Sequence, residues 1–164
     1  MSIEDKRKSM LDKLFRAFSI TSEGSYVYVT DLKTGLSRWA KEAVEYFDLS
    51  GEYMSDAGEQ WAELVHPDDR EMYDKDIGEV FSGQKDSHDL QYRASSRDGS
   101  YVVVACHGVI ITDVDDNPDF FAGAIVNYGI QNSRDSVTGL KNLYGFFNDL
   151  KNHRVEERAA NVML

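Results

Sequence analysis

The sequence predicts an α+β fold, a five-stranded antiparallel sheet with short helices on one face and an amphipathic helix at the N-terminus. Three observations predict it. Two short runs rich in β-branched and aromatic residues come early and three such runs come late, with helix-forming segments between them. Turns containing glycine join the two early runs and the first two late runs, as suits antiparallel hairpins. The last two runs are apolar at both odd and even positions, so both faces of the sheet must be covered.

Each element follows from its own residues. Residues 3–18 set Ile3, Met10, Leu11, Leu14, Phe15 and Phe18 at helical spacing among Lys and Asp, and the polar stretch 19–24 ends the helix. Such a stripe needs a partner, either the adjacent domain or its copy in a dimer. It is the natural cover for the sheet face that the middle helices leave open. Residues 25–30 read as a strand, Asp31-Leu32-Lys33-Thr34-Gly35 as a turn, and residues 36–39 as a second strand. Residues 40–50 read as helix, with Ala43, Val44 and Phe47 apolar, and residues 51–58 as a loop.

A helical turn at residues 61–65 leads to Pro67, which suits the first position of a new helix because no backbone N–H is needed there. Asp68 and Asp69 sit in its first turn, where the helix dipole favours negative charge. That helix continues through Met72, Tyr73, Ile77, Val80 and Phe81, and Gly83 stops it. His66 reads as a structural cap at its start rather than a haem or metal ligand. Leu90, Tyr92 and Ala94 alternate with Asp89, Gln91 and Arg93, the signature of a half-buried strand. Asp98-Gly99 turns the chain into a long strand over residues 101–112. An acidic loop at 113–119 precedes the last strand, residues 120–128. On that strand Phe120, Ala122, Ala124 and Val126 share one face, and Phe121, Gly123 and Ile125 the other.

Composition excludes several functions. At −11 and a pI near 4.7, the chain has no field to hold a nucleic acid or an anionic membrane. The single cysteine, Cys106, allows no internal disulfide or multi-thiolate metal site, and reads as a small buried strand residue. No apolar run reaches membrane-spanning length, and Ser2-Ile3-Glu4-Asp5-Lys6 is not a signal peptide, so a cytoplasmic location is expected. His107 faces opposite to Cys106, His88 and His153 sit among polar neighbours, and no pair has metal-ligand spacing. Asp113, Asp115, Asp116 and Asp119 lack the Gly and terminal Glu of a calcium loop and read as a solvated hairpin tip. No nucleophile, base and orienting group occur together, so no catalytic residue is assigned and no cofactor or metal is required.

Four features carry a resemblance over residues 20–130. They are Trp39 closing the second strand, Trp61 with Val65-His66-Pro67-Asp68-Asp69-Arg70, Tyr92-Arg93 with Asp98-Gly99-Ser100-Tyr101, and Gly123-Ala124-Ile125-Val126-Asn127. Together they resemble a PAS domain. Members usually end in Asp-Ile-Thr, where this chain has Asn127, Tyr128 and Gly129. The resemblance implies a pocket between sheet and helices for a small, mainly apolar ligand, with Trp39, Phe47, Phe81, Tyr92, Val104 and Cys106 as candidate lining; the same residues serve equally as core filling. The flavin-binding subset of the family carries its cysteine in a helical Asn-Cys-Arg-Phe-Leu-Gln-like segment. Cys106 lies on a strand, which disfavours flavin adduct formation.

Downstream, Asp135-Ser136-Val137-Thr138-Gly139-Leu140-Lys141-Asn142 resembles the first motif of GGDEF diguanylate cyclases, matching at Asp135, Thr138, Gly139, Leu140 and Asn142. Leu143 stands where that family usually has Arg, and Lys151 where members often have Asp. The family's Gly-Gly-(Asp/Glu)-Glu-Phe run does not occur in these 164 residues. The expected organisation is an N-terminal helix (1–20), a PAS sensor (21–130), and a linker with a C-terminal helical stub, the start of a GGDEF domain (131–164). The resemblance implies that Asn142 contacts the guanine of GTP once the whole domain is present, and that GTP and magnesium belong to that domain alone. The expected function is a sensory and dimerising module that regulates its own C-terminal cyclase and is itself inactive; its expected partners are a second copy in a homodimer and that GGDEF domain, with no nucleic acid and no membrane contact by this segment. Two alternatives stand beside it: a ligand-free interaction module, and a regulator of a phosphodiesterase with a Glu-Ala-Leu signature.

Overall fold

The computed structural model describes residues 1–130. The elements run α1 (Ile3–Thr21), β1 (Tyr26–Asp31), β2 (Ser37–Trp39), α2 (Lys41–Phe47), β3 (Tyr53–Met54), α3 (Ala57–Leu64), α4 (Pro67–Phe81), β4 (Ser87–Ser95), β5 (Tyr101–Thr112) and β6 (Pro118–Asn127), closing in a 3-10 turn at Tyr128–Ile130. The strands form one antiparallel sheet in the order β3-β2-β1-β6-β5-β4. The sheet has six strands rather than five. The additional β3, within the segment expected to be a loop, pairs only Tyr53 and Met54 with Arg38 and Ser37, too short for alternation to register. The expectations on residues 131–164, the linker, the stub and Asn142, lie outside the described residues.

Local chemistry sets the element ends. Ser2 and Asp5 form a reciprocal capping box that starts α1. At α4, Pro67 takes the first position and His66 Nδ1 accepts a hydrogen bond from the Asp68 backbone N–H at 3.0 Å, as a cap should. Asp69 then reaches across to β4, where its carboxylate accepts from the Arg93 backbone N–H and guanidinium, each at 2.9 Å. This pair fixes the start of α4 against the sheet.

The inner face of the sheet is covered by helices, and the outer face is covered over β1 and the adjoining end of β6, while Val103 and Val109 on the outer face of β5 are exposed among the described residues. On the inner face α2, α3 and α4 pack over Tyr28, Trp39, Tyr92, Cys106, Phe121 and Ile125. On the outer face α1 brings Leu11, Leu14 and Phe15 onto Val27, Val29, Phe120 and Ala122. Burying Leu11 completely contributes roughly 1.5–3 kcal/mol, before the entropy of ordering the helix is counted. Arg7 fastens this helix: its guanidinium donates to both oxygens of Asp31 at 2.7 and 2.8 Å and to Asp119 at 2.6 Å.

One close approach shapes the inner face. Gly108 and Gly123 pair across β5 and β6, with Tyr28 beside Gly123 on β1. A Cβ on either glycine would collide with the Tyr28 hydroxyl, so the missing side chains let that phenol lie flat across the strands.

A candidate ligand-binding cavity between sheet and helices

A cavity of about 470 Å³ lies between the inner face of the sheet and helices α3 and α4. Its walls are aromatic because each bordering element turns rings toward the same space. Strand alternation presents Tyr28 from β1, Trp39 from β2, Tyr92 from β4 and Phe121 from β6, while α3 adds Trp61. On α4, Tyr73, Ile77 and Phe81 follow at helical spacing and form the facing wall.

Neighbouring rings touch in sequence around the space. Tyr73 meets Tyr92 with centroids 5.1 Å apart, Tyr92 meets Trp61 at 6.5 Å, and Trp61 meets Trp39 at 5.4 Å. Trp39 stacks on Tyr28 at 5.1 Å, Tyr28 meets Phe121 at 5.6 Å, and Phe121 meets Phe81 at 5.2 Å. Because Tyr73 and Phe81 belong to the same helix, the rings form a collar closed through α4.

Polar groups in the wall are few and mostly engaged. The Trp61 indole donates to the Tyr92 hydroxyl at 2.6 Å, and that hydroxyl contacts Cys106 Sγ at 2.8 Å. Burial pushes the Tyr92 phenol well up and the Cys106 thiol to about 12, so both stay protonated at neutral pH. Cys106 is therefore a hydrogen-bonding wall residue and no nucleophile. His88 Nδ1 lies 2.5 Å from Asp76, which also holds Lys85 at 2.7 Å. Burial lowers the His88 pKa despite the nearby carboxylate, keeping the imidazole neutral. Burial raises Asp76, but Lys85 and His88 outweigh it and leave the carboxylate below its usual range. Trp39 Nε1–H, in contrast, is buried with no hydrogen-bond partner among the described residues.

Of the residues expected to line a pocket, Trp39, Phe81, Tyr92 and Cys106 border the cavity. Phe47 and Val104 are buried in the core behind it, Phe47 packing edge-on against Tyr26 and Trp61. The sequence reading missed His88, placed among polar neighbours but only 2% exposed. Its position two residues before Leu90, in phase with Tyr92 and Ala94, was the available signal. Tyr28, Trp61, Tyr73 and Phe121 were likewise assigned to elements without being assigned to the cavity. Among the described residues no cluster of three or more His, Cys, Asp or Glu has the arrangement to hold a metal ion. No helix there is long and apolar enough to cross a membrane.

Comparison with known proteins places the fold. The chain resembles a sensory box histidine kinase/response regulator from Burkholderia thailandensis at 17% identity, with a TM-score of 0.53 over 83% of this chain and 97% of the other. It resembles the N-terminal domain of a diguanylate cyclase with a PAS/PAC sensor from Marinobacter aquaeolei at 18% identity, with a TM-score of 0.55 over 66% and 99%. A domain of a putative light and redox sensing histidine kinase from Haloarcula marismortui aligns at 15% identity, with a TM-score of 0.51 over 69% and 97%. Comparison with curated proteins gives no match. At these identities the structural likeness establishes the fold alone. A sequence model of the PAS fold matches residues 36–125, more than half of the 164 residues. On that match, and on a sheet-and-helix architecture of the same kind, the chain belongs to the PAS fold family.

Proposed function

We propose that this chain is a ligand-sensing module that controls a C-terminal diguanylate cyclase. The observation that carries the sensing is the 470 Å³ collar-lined cavity, which falls within the roughly 300–1,000 Å³ of small-molecule sites. A ligand there touches α3, α4 and the sheet together, so its binding energy bears on how these elements pack. It shifts the output only to the extent that it favours one packing over another. The assignment of the effector is supported by the likeness of residues 135–142 to the opening GGDEF motif, and by a neighbour that is the N-terminal domain of a diguanylate cyclase with a PAS/PAC sensor. Cyclase chemistry joins two GTP molecules held by two domains, so a homodimer whose geometry the sensor alters is a workable switch.

Native mass spectrometry of the purified chain tests the sensing. A retained small molecule, lost on denaturation and excluded by filling the cavity with Cys106→Phe, is the expected result. A chain that carries nothing from cells and binds nothing in a broad ligand screen would leave plain association as the better reading. The effector is tested in the protein carrying the complete downstream domain, by cyclic di-GMP formation from GTP with and without the retained ligand.

A further inference from the structure

Resting on the sensory reading of the cavity, we infer that its ligand is a small organic cation with an alkylated ammonium head. The aromatic collar carries the argument. Ring faces are electron-rich, and a cation enclosed by several of them gains from each, most when water is excluded. No fixed positive charge competes inside. Arg70, the only cationic side chain on the lining among the described residues, is held at the rim by Asp74 at 3.1 Å and by the Ala62 carbonyl at 2.7 Å.

The charges at the entrance have the complementary sign. Glu59, Glu63 and Asp74 border the cavity and are exposed. With a formal charge of −11 on the whole chain, the field draws cations in and repels anions. Alkylation follows from the inner hydrogen bonds. The Tyr92 hydroxyl is engaged by Trp61 and Cys106, and the Tyr28 hydroxyl donates to the His107 carbonyl at 3.5 Å. A bare ammonium would leave its N–H groups short of acceptors, whereas a quaternary head has none to satisfy.

Calorimetric titration of the purified chain tests this with choline and acetylcholine, each against its neutral tert-butyl isostere in which carbon replaces nitrogen. Shape and oxygen are then constant, and only the charge differs. Each cation is expected to bind at least about tenfold more tightly than its isostere. The Glu59→Gln/Glu63→Gln variant, changed only at exposed positions, is expected to weaken the cations by about threefold and leave the isosteres unaffected. Equal binding of cation and isostere overturns the inference and keeps an uncharged ligand in the cavity. Tighter binding of the corresponding tert-butyl carboxylate overturns it, as does failure of both cations to bind at millimolar concentration. The retained-ligand experiment decides the sensory reading separately, because it depends on no chosen probe.

Discussion

Tyr92 shows how much rests on single side chains here. Its ring is part of the collar, and its hydroxyl accepts from the Trp61 indole while contacting Cys106. Removing that oxygen with Tyr92→Phe leaves the Trp61 N–H buried and unpaired, at a cost of about 1–3 kcal/mol. Urea denaturation should show a lower midpoint with an unchanged slope. A midpoint equal to that of the parent would mean that Trp61 finds another acceptor and that the pair does not order the wall. At this scale the sequence was readable where a residue's partner is local. His66 before Pro67 announced a cap, and a cap is what it forms. His88 was not readable in the same way, because its partner Asp76 lies on α4, across a turn, and only the folded chain brings the two together.

At the scale of elements, the Asp69–Arg93 pair joins the first turn of α4 to β4 and so holds one wall of the cavity in place. The Arg93 guanidinium and backbone N–H pull Asp69 from an ordinary 3.8 down to about 2. A carboxylate whose folded pKa lies below its unfolded value stabilises the fold above the unfolded pKa, and loses that contribution as pH falls through the folded one. The window is therefore between about pH 4 and about pH 2. With solvent screening the partly exposed pair, Asp69→Asn is expected to cost about 1 kcal/mol at neutral pH, with the difference from the parent vanishing near pH 2. Unfolding curves collected across that range check it, and a pH-independent difference would assign the loss to the hydrogen-bond geometry instead of the charge. Strong local signals made most elements legible: Pro67 for α4, Asp98-Gly99 for the β4–β5 turn, and continuous apolar runs for β5 and β6. β3 was hidden because two residues carry no periodicity. The start of α3 at Ala57 was hidden by a Gly-rich, acidic stretch that reads as loop.

For the whole molecule, a sheet apolar on both faces needs two covers, and the N-terminal stripe supplies the second over β1 and the adjoining end of β6. Leu11, fully buried against Val27, Val29, Phe120 and Ala122, is that cover in place. Arg7 makes the contact specific. Asp31 is 1% exposed; burial pushes its carboxyl up, but the Arg7 guanidinium and the backbone N–H groups of Lys33 and Thr34 outweigh this and hold it below the usual range. Arg7→Ala leaves that carboxylate buried with only the Thr34 side chain and the backbone N–H groups of Lys33 and Thr34 to answer it, at an expected cost of about 3 kcal/mol. Adding Asp31→Asn removes the stranded charge and should recover part of the loss. Such recovery distinguishes an ion pair from simple packing by the arginine stem, for which the two costs would add. If the double variant is less stable than Arg7→Ala by the full cost of Asp31→Asn alone, α1 is held by its apolar stripe and not by the charge. Hydrogen exchange adds the spatial test. With the pair broken, amides of α1 should exchange faster while those of β5 keep their protection, since α1 lies on the outer face and β4 and β6 still flank β5.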